Sequence, residues 1–367
     1  LKSSYEAFTM YRNTKNVPYY VFGRGSLAQL DDLLKPRREA VDGPVVYFVD
    51  HFFRDHELIG RLPMEKGDQL HFVDSSSEPE VTRIDAFKEA VSAADSRTPC
   101  CVVGIGGGNA LDTAKAVANL LTNPGKAEDY QGWELVKNPA VYKIGIPTLS
   151  GTGSECSRTC VLTNIPKNLK LGMNSDYTVY DQLLLDPDLL ATVPRDQYFY
   201  TGIDTFMHCV ESLQGSYRNA IIDAFSVRAV QLCEEIFLSD DMMSEENREK
   251  MMIASYIGGM AAGNVGVIHP FSAGLGVVLH VAHGLGNCLA LNVLGDIYPK
   301  EYKQFRTMIE RQGVNLPTGI CKDLTEEQYE GLYRGCIVHE KPLTNALGPD
   351  FKQILPRENL IERYKSI

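Results

Sequence analysis

The chain has 367 residues, enough for two domains at about 100–200 residues each, and its 44% hydrophobic and 23% charged residues are ordinary for a globular enzyme. A formal charge of −11 argues against a nucleic-acid backbone as partner, and no apolar run reaches the roughly 18 residues that membrane insertion needs. The start, Leu1-Lys2-Ser3-Ser4-Tyr5, has no signal-peptide core, and nine cysteines without framework spacing read as reduced thiols of a cytoplasmic protein.

In chain order, Val17, Tyr19, Tyr20, Val21 and Phe22 form a β-rich run that stops at Gly23 and Gly25. Ser26 is placed to cap a short helix carrying Leu27, Leu30, Leu33 and Leu34. Val45, Val46, Tyr47, Phe48 and Val49 read as a buried strand ending at Asp50, and Leu70 to Val73 as another. Ala86, Ala90, Val91 and Ala94 give a helical stripe, followed by the apolar runs 100–105 and 144–146. Short apolar strands alternating with helices predict a parallel sheet with helical crossovers.

Gly104, Ile105, Gly106, Gly107, Gly108 and Asn109 follow a strand and open a helix. Glycine lets the backbone approach a phosphate, and the first amides of the helix face the anion. One or two glycines would serve a plain turn; three in a row favour a phosphate site. The turn departs from GxGxxG and lacks an acidic residue about 20 positions later. The candidate for the ribose is Asp50, upstream at its own strand end, where a carboxylate accepts from NAD hydroxyls and repels the 2′-phosphate of NADP. A second small-residue loop, 147–155, offers hydroxyls and amides as another wall for the dinucleotide.

Asp186, Pro187 and Asp188 read as a turn into helix, and from Pro194 onward the pattern is helical. Ile221, Ile222, Phe225, Val227, Val230 and Leu232 suit a buried helix, and Ser244 starts the next. The expected division is an α/β dinucleotide-binding domain over residues 1–190 and an all-α metal-binding domain over residues 191–367. Four of the eight histidines fall between Asp204 and His283. Asp204 and His208, four apart on a helix, share one face, and His269 and His283 would complete a four-ligand N/O site for Fe(II) or Zn(II).

These residues resemble the iron-containing, or group III, alcohol dehydrogenases. The motifs are Gly106, Gly107, Gly108 and Asn109 with Asp112 and Lys115, then Pro147 and Thr148 with Gly151 to Glu155, the Asp204/His208 pair, and His269 with His283. The resemblance implies metal ligation by Asp204, His208, His269 and His283. It implies pyrophosphate binding at Gly107, Gly108 and Asn109, with Asp112 in the same motif. Thr148, Thr152 and Ser157 would line the cofactor, Lys170 would lie near a nicotinamide ribose, and Asp50 matches the position favouring NAD. Within the family the chain is similar to a branch that oxidises C8 of 3-deoxy-D-manno-octulosonate (Kdo) to an aldehyde. An aminotransferase then acts on that aldehyde in lipopolysaccharide biosynthesis. The stretches 130–139, 157–159 and 174–179 carry that likeness.

The expected chemistry is hydride transfer from a primary alcohol to NAD beside a Lewis-acidic cation, in a homodimer. Arg158 and Arg218 are candidates for a sugar-acid carboxylate, since guanidinium grips carboxylates in bidentate fashion. Many family members carry a proton-relay His four residues after the third ligand; here that residue is Ala273. His280, three before His283, would share its side on a helical turn and is the substitute relay candidate. Two other readings remain: a dehydroquinate-synthase-like lyase using NAD transiently, and a non-catalytic metal- and nucleotide-binding protein.

Overall fold

The apolar runs of the first half assemble into a six-stranded, all-parallel sheet in a computed structural model that describes residues 15–367. Leu1 to Tyr5 lie outside the described residues. The strands are β1 (Tyr19–Phe22), β2 (Val45–Asp50), β3 (Gln69–Val73), β4 (Cys101–Gly106), β5 (Gly132–Trp133), β6 (Lys143–Pro147), β7 (Thr159–Asn164), β8 (Leu169–Asn174) and β9 (Gln182–Leu185). The sheet order is β1-β9-β6-β4-β2-β3, and β5, β8 and β7 make a small second sheet. Helices α1 (Leu30–Ala40), α2 (Val81–Ala94) and α3 (Gly108–Leu120) cover the main sheet. Val46 and Phe48 face a core shared with α2 and α3, whereas Val45, Tyr47 and Val49 face one shared with α1. A sheet covered on both faces needs continuous apolar strands, which is why β2, β4 and β6 show no polar alternation.

The rest is helical: α4 (Arg195–Gln214), α5 (Ala220–Phe237), α6 (Glu245–Gly258), α7 (Ile268–Leu279), α8 (His283–Val293), α9 (Pro299–Gln312), α10 (Glu326–Ile337), α11 (Glu340–Leu347), α12 (Phe351–Ile354) and α13 (Arg357–Lys365). The expected fold class, α/β followed by all-α, is what the structure shows. Tyr198, Phe199, Ile203, Phe206 and Met207 of α4 anchor the main helical core. Asp204, Thr205, His208, Glu211 and Ser212 on the same helix are also buried. Burying charge on a core helix is costly unless partners satisfy it, so α4 marks the site.

Two local expectations are corrected. Ser26 caps no helix: residues 26–29 form a short 3-10 turn, and the α-helix starts at Leu30. That turn is held by the strand-end Asp186, whose carboxylate accepts from the amides of Gly25 and Leu27, each at 3.0 Å. On α5, Ile221 and Val227 are exposed, because only the stripe through Ile222, Ala229, Leu232 and Ile236 meets the core.

Candidate metal and cofactor site

Three helices deliver the four expected ligands. Asp204 and His208 stand one turn apart on α4, His269 lies in the first turn of α7, and His283 opens α8. Their ligand atoms all lie within 4.8 Å of one another. Asp204 Oδ1 is 3.1 Å from His269 Nε2 and 3.7 Å from His208 Nε2, and Oδ2 is 3.5 Å from His283 Nε2. A tetrahedral ion with bonds of about 2.1 Å has ligand separations of about 3.4 Å, so the spacing fits. Asp204 Oδ2 is buried yet accepts no hydrogen bond, which leaves a lone pair aimed at the position such an ion takes.

The electrostatics agree. Burial lowers His208 to about 3 and His283 to about 4, so both imidazoles are neutral at neutral pH. Burial raises the Asp204 carboxyl, but the surrounding imidazoles outweigh it and hold the group below its ordinary value. Burial also opposes charge on His269, but Glu211 and Asp204 outweigh it and lift this ring to about 9. Metal binding would displace that extra proton.

Two further residues complete the cluster, and sequence reasoning did not assign them. Glu211 accepts from His269 Nδ1, and also from the amide of Ile268 at 2.5 Å. A carboxylate on Nδ1 fixes the tautomer that presents Nε2 to the ion. Asn287 donates to Asp204 Oδ1 at 2.6 Å and lies 3.3 Å from His283 Nε2. Their signal was helical spacing: Glu211 falls on the Asp204/His208 face, and Asn287 follows His283 by one turn.

On the α/β side, β4 and β6 are neighbours in register, Gly106 opposite Pro147, so the glycine turn and the loop after β6 emerge side by side. Thr148 N donates to Gly106 O at 3.0 Å. Gly106 has φ 152°, and a Cβ there would lie 2.6 Å from that of Ala110 and 2.9 Å from that of Asp50. No other residue fits, and Asp50 is thereby placed against the turn. Asp50 Oδ1 accepts from Ser75 Oγ at 2.9 Å. Gly107 precedes α3 and Gly108 begins it, with Thr152 facing Gly108. The Asn109 side chain donates to Ser77 O at 2.8 Å, tying the turn to the loop after β3. Beside Asn109 opens a largely apolar cavity of about 430 Å³ between β3 and α2, lined by Phe72, Ile84 and Phe87.

Asp112 and Ser157 are part of the framework. Asp112 accepts from Ser154 Oγ and from the amide of Val161 at 2.8 Å, and Ser157 Oγ donates to Thr159 O at 3.2 Å. Lys170 reaches from β8 toward the helices: its Nζ is 2.9 Å from Glu78 Oε1, and a Cβ on Gly276 of α7 would be 3.8 Å from it. Its charge acts on His283.

The arginines stand in other company. Arg158 pairs with Glu134 and Asp176, at 2.7 and 2.6 Å, and Arg218 with Asp223 at 2.8 Å. The helical turn expected around His280 is absent. The preceding helix ends at Leu279, His280 is exposed with φ 55°, and the next helix starts only at His283, so helical spacing does not put the two rings on one side.

A glycine turn at the ends of parallel strands, together with a partly buried Asp/His₃ cluster on helices, defines a metal-site protein with a dinucleotide-type α/β domain. Residues 18–187 match the sequence model of the family "Iron-containing alcohol dehydrogenase", and residues 198–331 that of "Fe-containing alcohol dehydrogenase family, C-terminal". The chain belongs to the iron-containing alcohol dehydrogenase family. It is 34% identical to the sulfoacetaldehyde reductase of Bilophila wadsworthia over 220 residues, 58% of this chain and 56% of that protein. The match thus spans little more than half of that relative. It is 29% identical to the NAD-dependent methanol dehydrogenase of Bacillus methanolicus over 278 residues, 74% of this chain and 71% of that one. In fold it is similar to the sulfoacetaldehyde reductase from Bifidobacterium kashiwanohense in complex with NAD+, with TM-score 0.79, 24% identity, and coverage of 97% and 98% of the two chains. An alcohol dehydrogenase from Oenococcus oeni superimposes with TM-score 0.81 at 21% identity, covering 96% and 99%.

Proposed function

We propose that this protein is a metal- and NAD-dependent dehydrogenase that oxidises a primary alcohol to an aldehyde. The observation that carries the reading is the Asp204, His208, His269 and His283 cluster, its first two members buried and the others half-buried, with a buried Asp204 carboxylate oxygen that has no hydrogen-bond partner. Asp204, His208, His269 and His283 would hold the ion, and Glu211 and Asn287 keep two of the ligands oriented. A bound divalent cation supplies Lewis acidity to an alcohol oxygen. The glycine turn, Thr148 and Thr152 would seat the dinucleotide, with Asp50 at its ribose and Lys170 between cofactor and cluster. Holding both partners in one cleft converts hydride transfer into an effectively unimolecular step.

The substrate we favour is Kdo, oxidised at C8 to the 8-aldehyde. The support is the likeness of residues 130–139, 157–159 and 174–179 to that branch of the family. On this reading Arg158 or Arg218 meets the sugar carboxylate after giving up its present ion pair, and an aminotransferase consumes the aldehyde. A cytoplasmic homodimer is part of the same proposal. No single helix among the described residues is long and apolar enough to cross a membrane.

The test is NADH release from a panel of simple alkanols, polyols and sugar acids, Kdo included, with Fe(II) or Zn(II) supplied. Kdo giving the highest kcat/KM supports the full reading. Preference for a simple alkanol removes the sugar-acid assignment, and no net NADH from any compound removes the dehydrogenase itself in favour of a transient use of NAD.

A further inference from the structure

β2 and β3 are parallel neighbours with Asp50 opposite Val73, so the loop after β3 leaves the sheet beside the end of β2. Two donors from different elements meet there on one oxygen. Asp50 Oδ1 accepts from the amide of Phe52 at 3.0 Å and from the hydroxyl of Ser75 at 2.9 Å. The His51 ring stands off from the same atom at 3.7 Å, and the Asp50 side chain keeps 14% of its surface exposed. An oxygen with two donors has both lone pairs engaged. Among the described residues no donor reaches Oδ2, which leaves it as the open acceptor of the carboxylate.

The Phe52 amide is a local partner, two residues along the chain. One such bond does not fix the carboxylate plane, because the outer torsion of Asp is broad. Ser75 is the partner that arrives from another part of the fold, on a loop fixed at three further points. Asn109, the second residue of α3, donates to Ser77 O at 2.8 Å. Lys170 Nζ meets Glu78 Oε1 at 2.9 Å. Thr163 N on β7 donates to Pro79 O at 2.8 Å. Asp50 is itself held against the glycine turn, its Cβ 2.9 Å from where a Cβ on Gly106 would stand. One short loop thus joins the carboxylate at the end of β2 to the turn that opens α3.

We propose that Ser75 is a positioning residue for the choice of dinucleotide: its hydroxyl holds the Asp50 carboxylate in the orientation that offers Oδ2 to the adenosine ribose of NAD. The inference rests on the reading that Asp50 meets this ribose. The ligand class is a dinucleotide with a free 2′-hydroxyl. A hydroxyl can donate to Oδ2, whereas a 2′-phosphate sets like charge against the carboxylate. Ser75 carries no charge. Removing its hydroxyl leaves the repulsion of a 2′-phosphate in place and loosens only the hold on a free ribose. Its effect therefore falls on NAD and NADH rather than on their 2′-phosphorylated forms, and only while residue 50 is a carboxylate.

The experiment titrates NADH and NADPH into the full-length, Zn(II)-loaded protein and reads Kd from the cofactor's fluorescence. It compares wild type, Ser75→Ala, Ser75→Thr, Asp50→Ala and the Ser75→Ala/Asp50→Ala double variant. Ser75→Ala should weaken NADH about fivefold or more and NADPH by less than about twofold. Ser75→Thr keeps the hydroxyl and should stay within about twofold of wild type for NADH. Ser76→Ala, on the exposed side of the same loop, serves as the control for loop damage and should bind NADH as wild type does. In the Asp50→Ala background the further Ser75→Ala change should shift NADH by less than about twofold, because the two residues act as one unit. Wild-type NADH affinity in Ser75→Ala, an equal loss for both cofactors, or the same loss with and without the Asp50 carboxylate would each overturn the proposal. Asp50→Ala that binds both cofactors as wild type does refutes the ribose assignment and the Ser75 role with it. Asp50→Ala that weakens NADH beside an unaffected Ser75→Ala refutes Ser75 alone. If wild type binds NADH but releases none from any alcohol, the dehydrogenase reading fails while the titrations still decide Ser75. Wild type that binds no NADH refutes both.

Discussion

His269 is held at both ring nitrogens, Nδ1 by Glu211 and Nε2 toward Asp204 at 3.1 Å. Glu211 also accepts from the amide of Ile268 and from Tyr298. It is therefore fixed before any ion arrives, and it fixes His269 in turn. Replacing Glu211 by Gln keeps the shape but weakens the charge-assisted bond and its hold on the tautomer. The expected outcome is a folded protein whose metal affinity falls about 10- to 100-fold, measured by competition with a chelator of known affinity. Unchanged affinity would mean that His269 orients without this carboxylate. Asp204 is the more demanding position, because its Oδ2 has no partner of its own.

At the scale of elements, the loop after β6 binds the two domains together. Gly151 N donates to Ser255 Oγ on α6, and Thr205 Oγ1 on α4 donates to Gly151 O, both at 2.8 Å. Gly151 has φ 147°, and a Cβ there would lie 1.6 Å from Thr201 O, a backbone atom that cannot swing aside. Gly151→Ala should cost about 3 kcal/mol of unfolding free energy in urea and weaken NAD binding, since this loop neighbours the glycine turn. A cost under about 0.5 kcal/mol, the range of ordinary surface changes, would show that the loop is not clamped. At the far edge of the sheet, Asp68 accepts from Arg38, from Val45 N at 2.9 Å and from Glu65 N at 2.8 Å. Burial raises the Asp68 carboxyl, but Arg38 and the two amides outweigh it and hold it below its ordinary value. A group depressed in the folded state contributes stability above its unfolded value, about 3.9, and loses it as pH falls through the folded value. Asp68→Asn should therefore cost about 3 kcal/mol at pH 7, with the gap to wild type closing below about pH 4. Urea midpoints for both proteins across that range would show it, and a gap of constant size would assign the cost to packing instead.

For the molecule as a whole, the Asp204, His208, His269 and His283 cluster joins α4, α7 and α8, and Thr205 next to Asp204 carries that tie to the loop beside the glycine turn. An ion that binds only the folded state adds about 2.7 kcal/mol at a hundredfold excess over its Kd. Chelation should lower the thermal midpoint, and Zn(II) or Fe(II) should restore it. A midpoint indifferent to chelator and metal would count against the cluster as a metal site.

How far the sequence reached follows from which interactions are local. Strands β2, β4 and β6 were legible because a sheet covered on both faces demands apolar runs, and the turn between β4 and α3 because three consecutive glycines break both patterns. Asp204 and His208 were legible as a pair because one helix sets their spacing. Ser26 misled because Asp186, some 160 residues away, supplies the acceptor for the amides of Gly25 and Leu27 that a local cap was expected to give. His280 misled because the chain leaves the helical path at that residue, which its own neighbours do not announce. The contacts of Glu211 with His269 and of Asn287 with Asp204 were beyond reading, since each depends on how separate helices cross. The sequence by itself determined the architecture and the residue types of the candidate site, because periodicity and side-chain chemistry are carried residue by residue. Only the tertiary structure decided which atoms share the buried site, because helix packing sets distances between residues that the chain keeps far apart.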